Sequence, residues 1–254
     1  MFALVFALVV AASLVGCAAA PATGTPTANP ASVGPTPTAT TFGSALTCGG
    51  FENTPAFPAA ALHSPPGAEN DSDPAALALQ EFLAPLNATS ELPLSGWRRV
   101  VNSPSVVLFV AAGKADARWL QIIMTPTPAG SWQPNGYGPC QLEVLFGEGV
   151  GRAELLLDPS APASPQATSV PLLVLETACS GGASPEGRIE APLLSYRPDA
   201  VYVAITIRTL PGEQDCSGAG IDPYPFTLQL SEPLGARQLF DASVVPPKLV
   251  IAAE

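Results

Sequence analysis

The sequence predicts a mainly β protein: an antiparallel β-sandwich of immunoglobulin-like size, preceded by a small α+β segment holding one helix and a β-meander. Short apolar runs recur with turn residues between them, and only 12% of residues are charged. Thirty prolines punctuate a chain that is still 47% hydrophobic. Such a composition fits a loop-rich β fold with a filled core better than a helical cytosolic enzyme.

The elements follow in order. Folded structure is expected to begin near Cys48. Asp73 then precedes Pro74, Ala75, Ala76, Leu77, Leu79, Phe82 and Leu83, which combines a capping carboxylate, a first-turn proline and apolar residues at helical spacing. Pro85 lacks a backbone donor, so the helix should stop near Leu83. Residues 97–101, 106–112 and 118–124 read as meander strands separated by Asn, Ser, Pro, Gly and Lys, with the helix on one face.

Strands are then expected at 141–146, 153–157, 169–177, 200–208 and 226–230. The clearest alternation sets Val201, Val203, Ile205 and Ile207 on one face, with Tyr202, Ala204, Thr206 and Arg208 on the other. After residue 230 the chain should turn through Pro233 and Gly235 and re-enter a strand at Gln238 and Leu239. The predicted organisation is an α+β segment over 47–139 and a sandwich over 140–254.

Residues 2–16 form an uncharged apolar run of signal-peptide length, shorter than the roughly 20 residues a spanning helix needs. It closes on Leu14, Val15, Gly16 and Cys17, which resembles the lipobox of bacterial lipoproteins, although no Lys or Arg precedes the run. The resemblance implies removal of residues 1–16 as a signal peptide and lipidation of Cys17, palmitate included. Each buried methylene contributes about 0.8 kcal/mol, so two or three acyl chains hold a protein on a membrane. From 17 to 46 the chain is mostly Pro, Thr, Ala, Ser and Gly without a charge, a composition that suits a tether. The expected location is the extracytoplasmic face of the cell membrane, with the lipid anchor as the membrane contact.

The net charge is -11. A surface that acidic is repelled by phosphate backbones, which argues against a nucleic-acid partner. Setting Cys17 aside leaves Cys48, Cys140, Cys179 and Cys216, an even set in an exported chain. Four cysteines admit three pairings. Cys179 with Cys216 is favoured because each ends an apolar strand beside glycines, which leaves Cys48 for Cys140. No zinc-ligand spacing occurs, so neither a metal nor another cofactor is expected.

The only histidine, His63, stands in a proline-rich loop and makes a poor general base for a nucleophilic triad. Glu176 is the one carboxylate embedded in a strongly apolar run, and it reads as a strand end facing a cation such as Arg208. Glu213, Asp215 and Asp222 lack the order of a calcium loop and read as acidic turn residues beside a disulfide. The stretch 130–139 is the better binding candidate. It reads as a Gly- and Pro-rich turn presenting Trp132 and Tyr137 to a sugar or peptide, with Gln133 and Asn135 as hydrogen-bond partners.

Trp97, Phe109, Trp119, Trp132, Cys140, Cys179, Arg188 and Cys216, followed by Glu232, Pro233, Leu234, Gly235, Arg237, Leu239 and Asp241, are similar to exported β-rich domains of GC-rich bacteria. That resemblance implies no activity. The functional expectation is a non-catalytic lipoprotein, structural or binding a glycan or an envelope protein. The alternative is a carboxylate-dependent hydrolase acting on envelope or extracellular glycans.

Overall fold

The computed structural model describes residues 42–49, 54–87, 89–113, 118–212, 214, 216 and 222–253. Cys17 and most of the 17–46 stretch lie outside the described residues. The first strands, β1 (Ala45–Gly49) and β2 (Phe57–Pro58), form an antiparallel pair, so strand structure starts inside the stretch that composition assigns to the tether.

The helix α1 spans Pro74–Leu83. Asp73 Oδ1 accepts from the amides of Ala75 and Ala76 at 3.1 and 3.3 Å, satisfying two donors that the first turn leaves open. Ala75, Ala76, Leu79 and Leu83 form its buried face. The last turn closes when Ala84 N donates to Gln80 O at 2.9 Å, one residue before Pro85.

The meander is β3 (Arg98–Asn102), β4 (Val107–Ala112), β5 (Trp119–Pro126) and β6 (Trp132–Val144). With β1 and β2 it makes one antiparallel sheet of order β2-β1-β6-β5-β4-β3. Apolar side chains cover both of its faces. Toward α1 lie Trp97, Val107, Phe109, Leu120, Ile122 and Met124. On the reverse face lie Leu46, Leu108, Val110, Ile123, Leu142 and Val144. Burial on both faces explains why β4 and β5 are almost continuously apolar rather than alternating.

The expected boundary at 139/140 falls inside β6, which runs unbroken through it. Trp132 to Cys140 pair with β5, whereas Gln141 to Val144 pair with β1. Among the described residues, no strand pairs with the other edge of β6 over 132–139, and that edge contains Pro134 and Pro139, which have no amide hydrogen.

The sandwich follows. Strands β7 (Val150–Leu157), β8 (Ser169–Glu176), β9 (Leu193–Tyr196), β10 (Ala200–Ala204), β11 (Thr206–Arg208), β12 (Tyr224–Gln229) and β13 (Gln238–Asp241) divide between two sheets. The last strands are β14 (Val244–Val245) and β15 (Lys248–Leu249). One sheet has the order β11-β7-β8-β12, and the other β15-β13-β10-β9. Their shared core holds Leu155, Val170, Leu172, Val174, Leu228 and Leu239. All pairs are antiparallel except β10 with β13, which run parallel.

The expected strand 200–208 is two strands in two sheets. Val201, Val203, Ile205 and Ile207 all enter the sandwich core, as the alternation requires. The backbone partners nevertheless change at Ile205: β10 pairs with β9 and β13, and β11 pairs with β7. Period-two patterning fixes which face is buried but not which neighbour supplies the hydrogen bonds. The chain later leaves the sandwich after β13, adds β14 to β6, and returns as β15 through the cis Val245–Pro246 bond.

Two disulfides are present, Cys48–Cys140 and Cys179–Cys216. The first ties β1 to β6, and both of its cysteines are 1% exposed. The second joins the segment after β8 to the one before β12.

Candidate functional site

Within the stretch 130–139, residues 132–139 are strand rather than turn. The turn lies earlier, where Gly130 N donates to Thr127 O at 2.9 Å and Gly130 takes a φ of +85°. Gly and Pro residues normally weaken a strand, but here β5 supplies a paired neighbour from Pro126, opposite Trp132, to Trp119, opposite Cys140. One register shift interrupts the ladder, from Ile123 opposite Gly136 to Met124 opposite Pro134, and leaves Asn135 as the extra residue of a bulge.

This geometry separates the four proposed ligand-binding residues. Tyr137 lies opposite Ile122 and Trp132 opposite Pro126, so both aromatics stand on the α1 side of the sheet. Trp132 packs on the helix-side core. Tyr137 is 55% exposed, with its ring 5.1 Å from that of Phe82. Gln133 lies opposite Thr125, on the reverse face, and Asn135 occupies the exposed bulge. The result is an aromatic ledge of Trp132, Tyr137 and Phe82, without Gln133 beside it.

The buried carboxylates are engaged by fixed donors. Glu69 accepts from the amides of Gly96 and Trp97 at 2.9 and 3.1 Å. Glu176, 6% exposed, receives Arg188 Nη1 and Nη2 at 2.7 and 2.5 Å. Its cation is therefore Arg188, not Arg208. The Ile189–Ile207 bridge lays the preceding loop along β11, where Arg188 also donates to Arg208 O at 2.7 Å. Glu176 in turn holds the Arg188 guanidinium above its ordinary pKa, against the opposing effect of burial.

Asp241, 2% exposed, marks the corner where the chain leaves the sandwich. Its Oδ1 accepts from Ser243 N at 2.9 Å and from Ser243 Oγ at 2.6 Å. Burial pushes its pKa above the ordinary carboxylate value, the Ser243 hydrogen bonds and nearby Arg152 oppose that rise, and Glu154 adds to it. Glu143 of β6 and Arg152 of β7 stand 2.8 Å apart. Glu143 leans over Gly49, where a Cβ would come within 2.1 Å of its Oε1.

His63 is exposed at the end of a 3-10 turn, Ala59–His63, whose Leu62 is buried. Glu213 and Asp215 lie outside the described residues. Among the described residues, no group of three or more His, Cys, Asp or Glu is placed to share a metal ion. Gln121 is fully buried, and among the described residues neither its amide nitrogen nor its oxygen has a hydrogen-bond partner.

A groove of about 320 Å³ lies where the start of β5, the middle of β6 and the turn between β14 and β15 meet. Arg118, Trp119, Gln141, Pro246, Pro247 and Lys248 line it. Sequence reasoning missed this site because its walls come from strands far apart in the chain. Its only local signals were the pair Arg118 and Trp119 and the run Pro246, Pro247 and Lys248 in a chain poor in cations.

No protein-family model, curated protein or solved structure matches the chain.

Proposed function

We propose that the protein is a lipid-anchored extracytoplasmic lipoprotein, acylated at Cys17, whose β-rich body has a structural or ligand-binding role rather than a catalytic one. The observation that carries this reading is the pair of disulfides, Cys48–Cys140 and Cys179–Cys216. They suit the oxidising space beyond a membrane and use every cysteine except the one in the lipobox-like motif. The non-catalytic part rests on the buried carboxylates. Glu69, Glu176 and Asp241 accept hydrogen bonds that hold the fold together, whereas an acid or base in glycan hydrolysis must reach the scissile bond.

Mass analysis of the N-terminal peptide tests the anchor. The expected product starts at an acylated Cys17, and Cys17→Ala should remain unprocessed and lack the lipid mass. A mature protein with an intact leader and a free Cys17 thiol would overturn the reading. For the non-catalytic part, purified protein should release no reducing ends from peptidoglycan or from acidic and neutral polysaccharides. Sustained release that Asp241→Asn or Glu154→Gln abolishes would establish the hydrolase instead.

A further inference from the structure

Glu69 is 8% exposed, and its two oxygens receive the Gly96 and Trp97 amides at 2.9 and 3.1 Å. Those donors are neutral, so they fill one lone pair on each oxygen without cancelling the charge, and among the described residues Glu69 forms no ion pair. It lines a groove of about 440 Å³ together with Asn70, Gln80, Leu83, Leu86 and Leu94. That volume lies in the lower part of the roughly 300–1,000 Å³ found for small-molecule sites. Leu83 belongs to the last turn of α1, which holds no basic residue, so the partial negative charge of the helix's carbonyl end adds to that of Glu69. Among the described residues, no cation lines the groove.

The walls are set before any ligand arrives. Gly67 N and Ala68 N both donate to Trp97 O, at 2.9 and 3.0 Å, which seats the 3-10 turn Ala68–Asn70 beside the chain entering β3. Trp97 Nε1 donates to Pro93 O at 2.9 Å and fixes the backbone next to Leu94. Gln80 Nε2 donates to Asp71 O at 3.0 Å, so the Gln80 side-chain oxygen is left for another donor. A site ordered in advance loses less entropy on binding.

We infer that this groove binds a small aliphatic primary ammonium. Leu83, Leu86 and Leu94 suit a hydrocarbon chain, and Leu94 is 43% exposed, so part of the apolar wall stands open to a ligand. The charged head would meet Glu69 and the Gln80 oxygen. An ammonium needs only one open lone pair on each acceptor, whereas the fork of a guanidinium needs a matched pair on the carboxylate, whose two oxygens already hold the Gly96 and Trp97 amides. A calcium ion needs six to eight oxygen ligands, more than one carboxylate and two carboxamides offer. A lone carboxylate also lacks the partner that glycan hydrolysis requires, so the groove binds without cleaving. This inference rests on the binding reading of the protein and gives it a ligand class.

Isothermal titration of the full lipoprotein in detergent micelles tests it, against a micelle-only blank and at roughly 0.15 M salt, where diffuse attraction to an acidic surface is screened beyond about 8 Å. The probe is n-pentylammonium, with 1-pentanol and tetramethylammonium as comparisons. The probe should saturate one site, and each comparison should bind about tenfold more weakly, the scale of one lost hydrogen bond to a charged group. Leu94→Lys places a tethered ammonium at the mouth and should weaken the probe about tenfold while leaving the thermal midpoint in place. Leu94→Ser should weaken the probe and 1-pentanol alike, by several-fold. Glu69→Gln should bring the probe down to the affinity of 1-pentanol, but it also disturbs the Gly96 and Trp97 amides, so Leu94→Lys decides. Absence of saturation at millimolar n-pentylammonium, equal affinity for either comparison, or undiminished binding by Leu94→Lys would each overturn the inference. Failure to bind leaves the anchor and the non-catalytic body untouched, because the acylated N-terminus and the release of reducing ends are read separately.

Discussion

The seven-stranded sheet and the sandwich bury their cores by different means. In the sheet, β4 and β5 are covered on both faces, by α1 on one side and by β1, β2 and neighbouring turns on the other. In the sandwich, β8 and β12 leave the residues on their outer face partly or fully exposed, although β10 is buried almost throughout. A strand covered twice has little room to relax when a side chain is cut back, and a polar residue on it has no water to fall back on. The sheet should therefore be the more stable and the less tolerant half.

The disulfides give the largest test of that difference. Cys48–Cys140 closes 92 residues and Cys179–Cys216 closes 37. By chain entropy, replacing each pair with Ala should cost ~4.6 and ~3.8 kcal/mol respectively. Denaturant unfolding that ranks them in the opposite order would break the comparison. Next come Ile122→Ala and Ile207→Ala, both fully buried before truncation. Each should cost about 2–5 kcal/mol, with Ile122, on a central strand, near the top and Ile207, on the edge strand β11, near the bottom.

Gln121 sharpens the point from the polar side. Replacing its two unpartnered atoms with a thioether of similar length, Gln121→Met, should raise stability by about 1–2 kcal/mol, read as a higher denaturant midpoint with an unchanged slope. A loss would mean that the amide is satisfied in solution. Asp73→Ala should cost about 1 kcal/mol through the lost helix cap.

The smallest effects are those of pH, and the two halves differ in sign. Burial tends to raise the Asp73 pKa, but Arg99 and the Ala75 and Ala76 amides prevail and hold it below the ordinary value. Its contribution is therefore present above the unfolded carboxylate value and lost as pH falls through the folded one. Asp241 is raised, so its contribution is full below the unfolded value of about 4 and lost as pH rises through the folded one. Asp241→Asn keeps an oxygen for Ser243 and should flatten the stability profile on the rising side of pH 4. Asp73→Asn should flatten it on the falling side. Thermal melting across the acid range separates them, and parallel profiles would refute the assignment.

Much of the fold was legible because it is local. Asp73, Pro74 and Pro85 bracket α1, and Val201 through Ile207 mark a buried face. What escaped was set by distant pairing. Nothing near residue 205 announces that β10 and β11 belong to different sheets. The Gly- and Pro-rich run at 130–139 looks like a turn until β5 is placed beside it. Very short strands such as β2, β14 and β15 have too few residues to show any period. At the candidate site, the exposed aromatic Tyr137 was readable, but the split between it and Gln133 depends on a bulge at Asn135. Glu176 was recognisable as a paired carboxylate, though its cation arrives on a loop whose path no pattern records.

The prolines in β6 bear on contact between copies. A sheet border with open amides is where two molecules would zip together. Among the described residues nothing pairs with the second edge of β6 over 132–139, and Pro134 and Pro139 bring no N–H to it, so a second copy meeting this border finds gaps in the ladder instead of a template for a fibre.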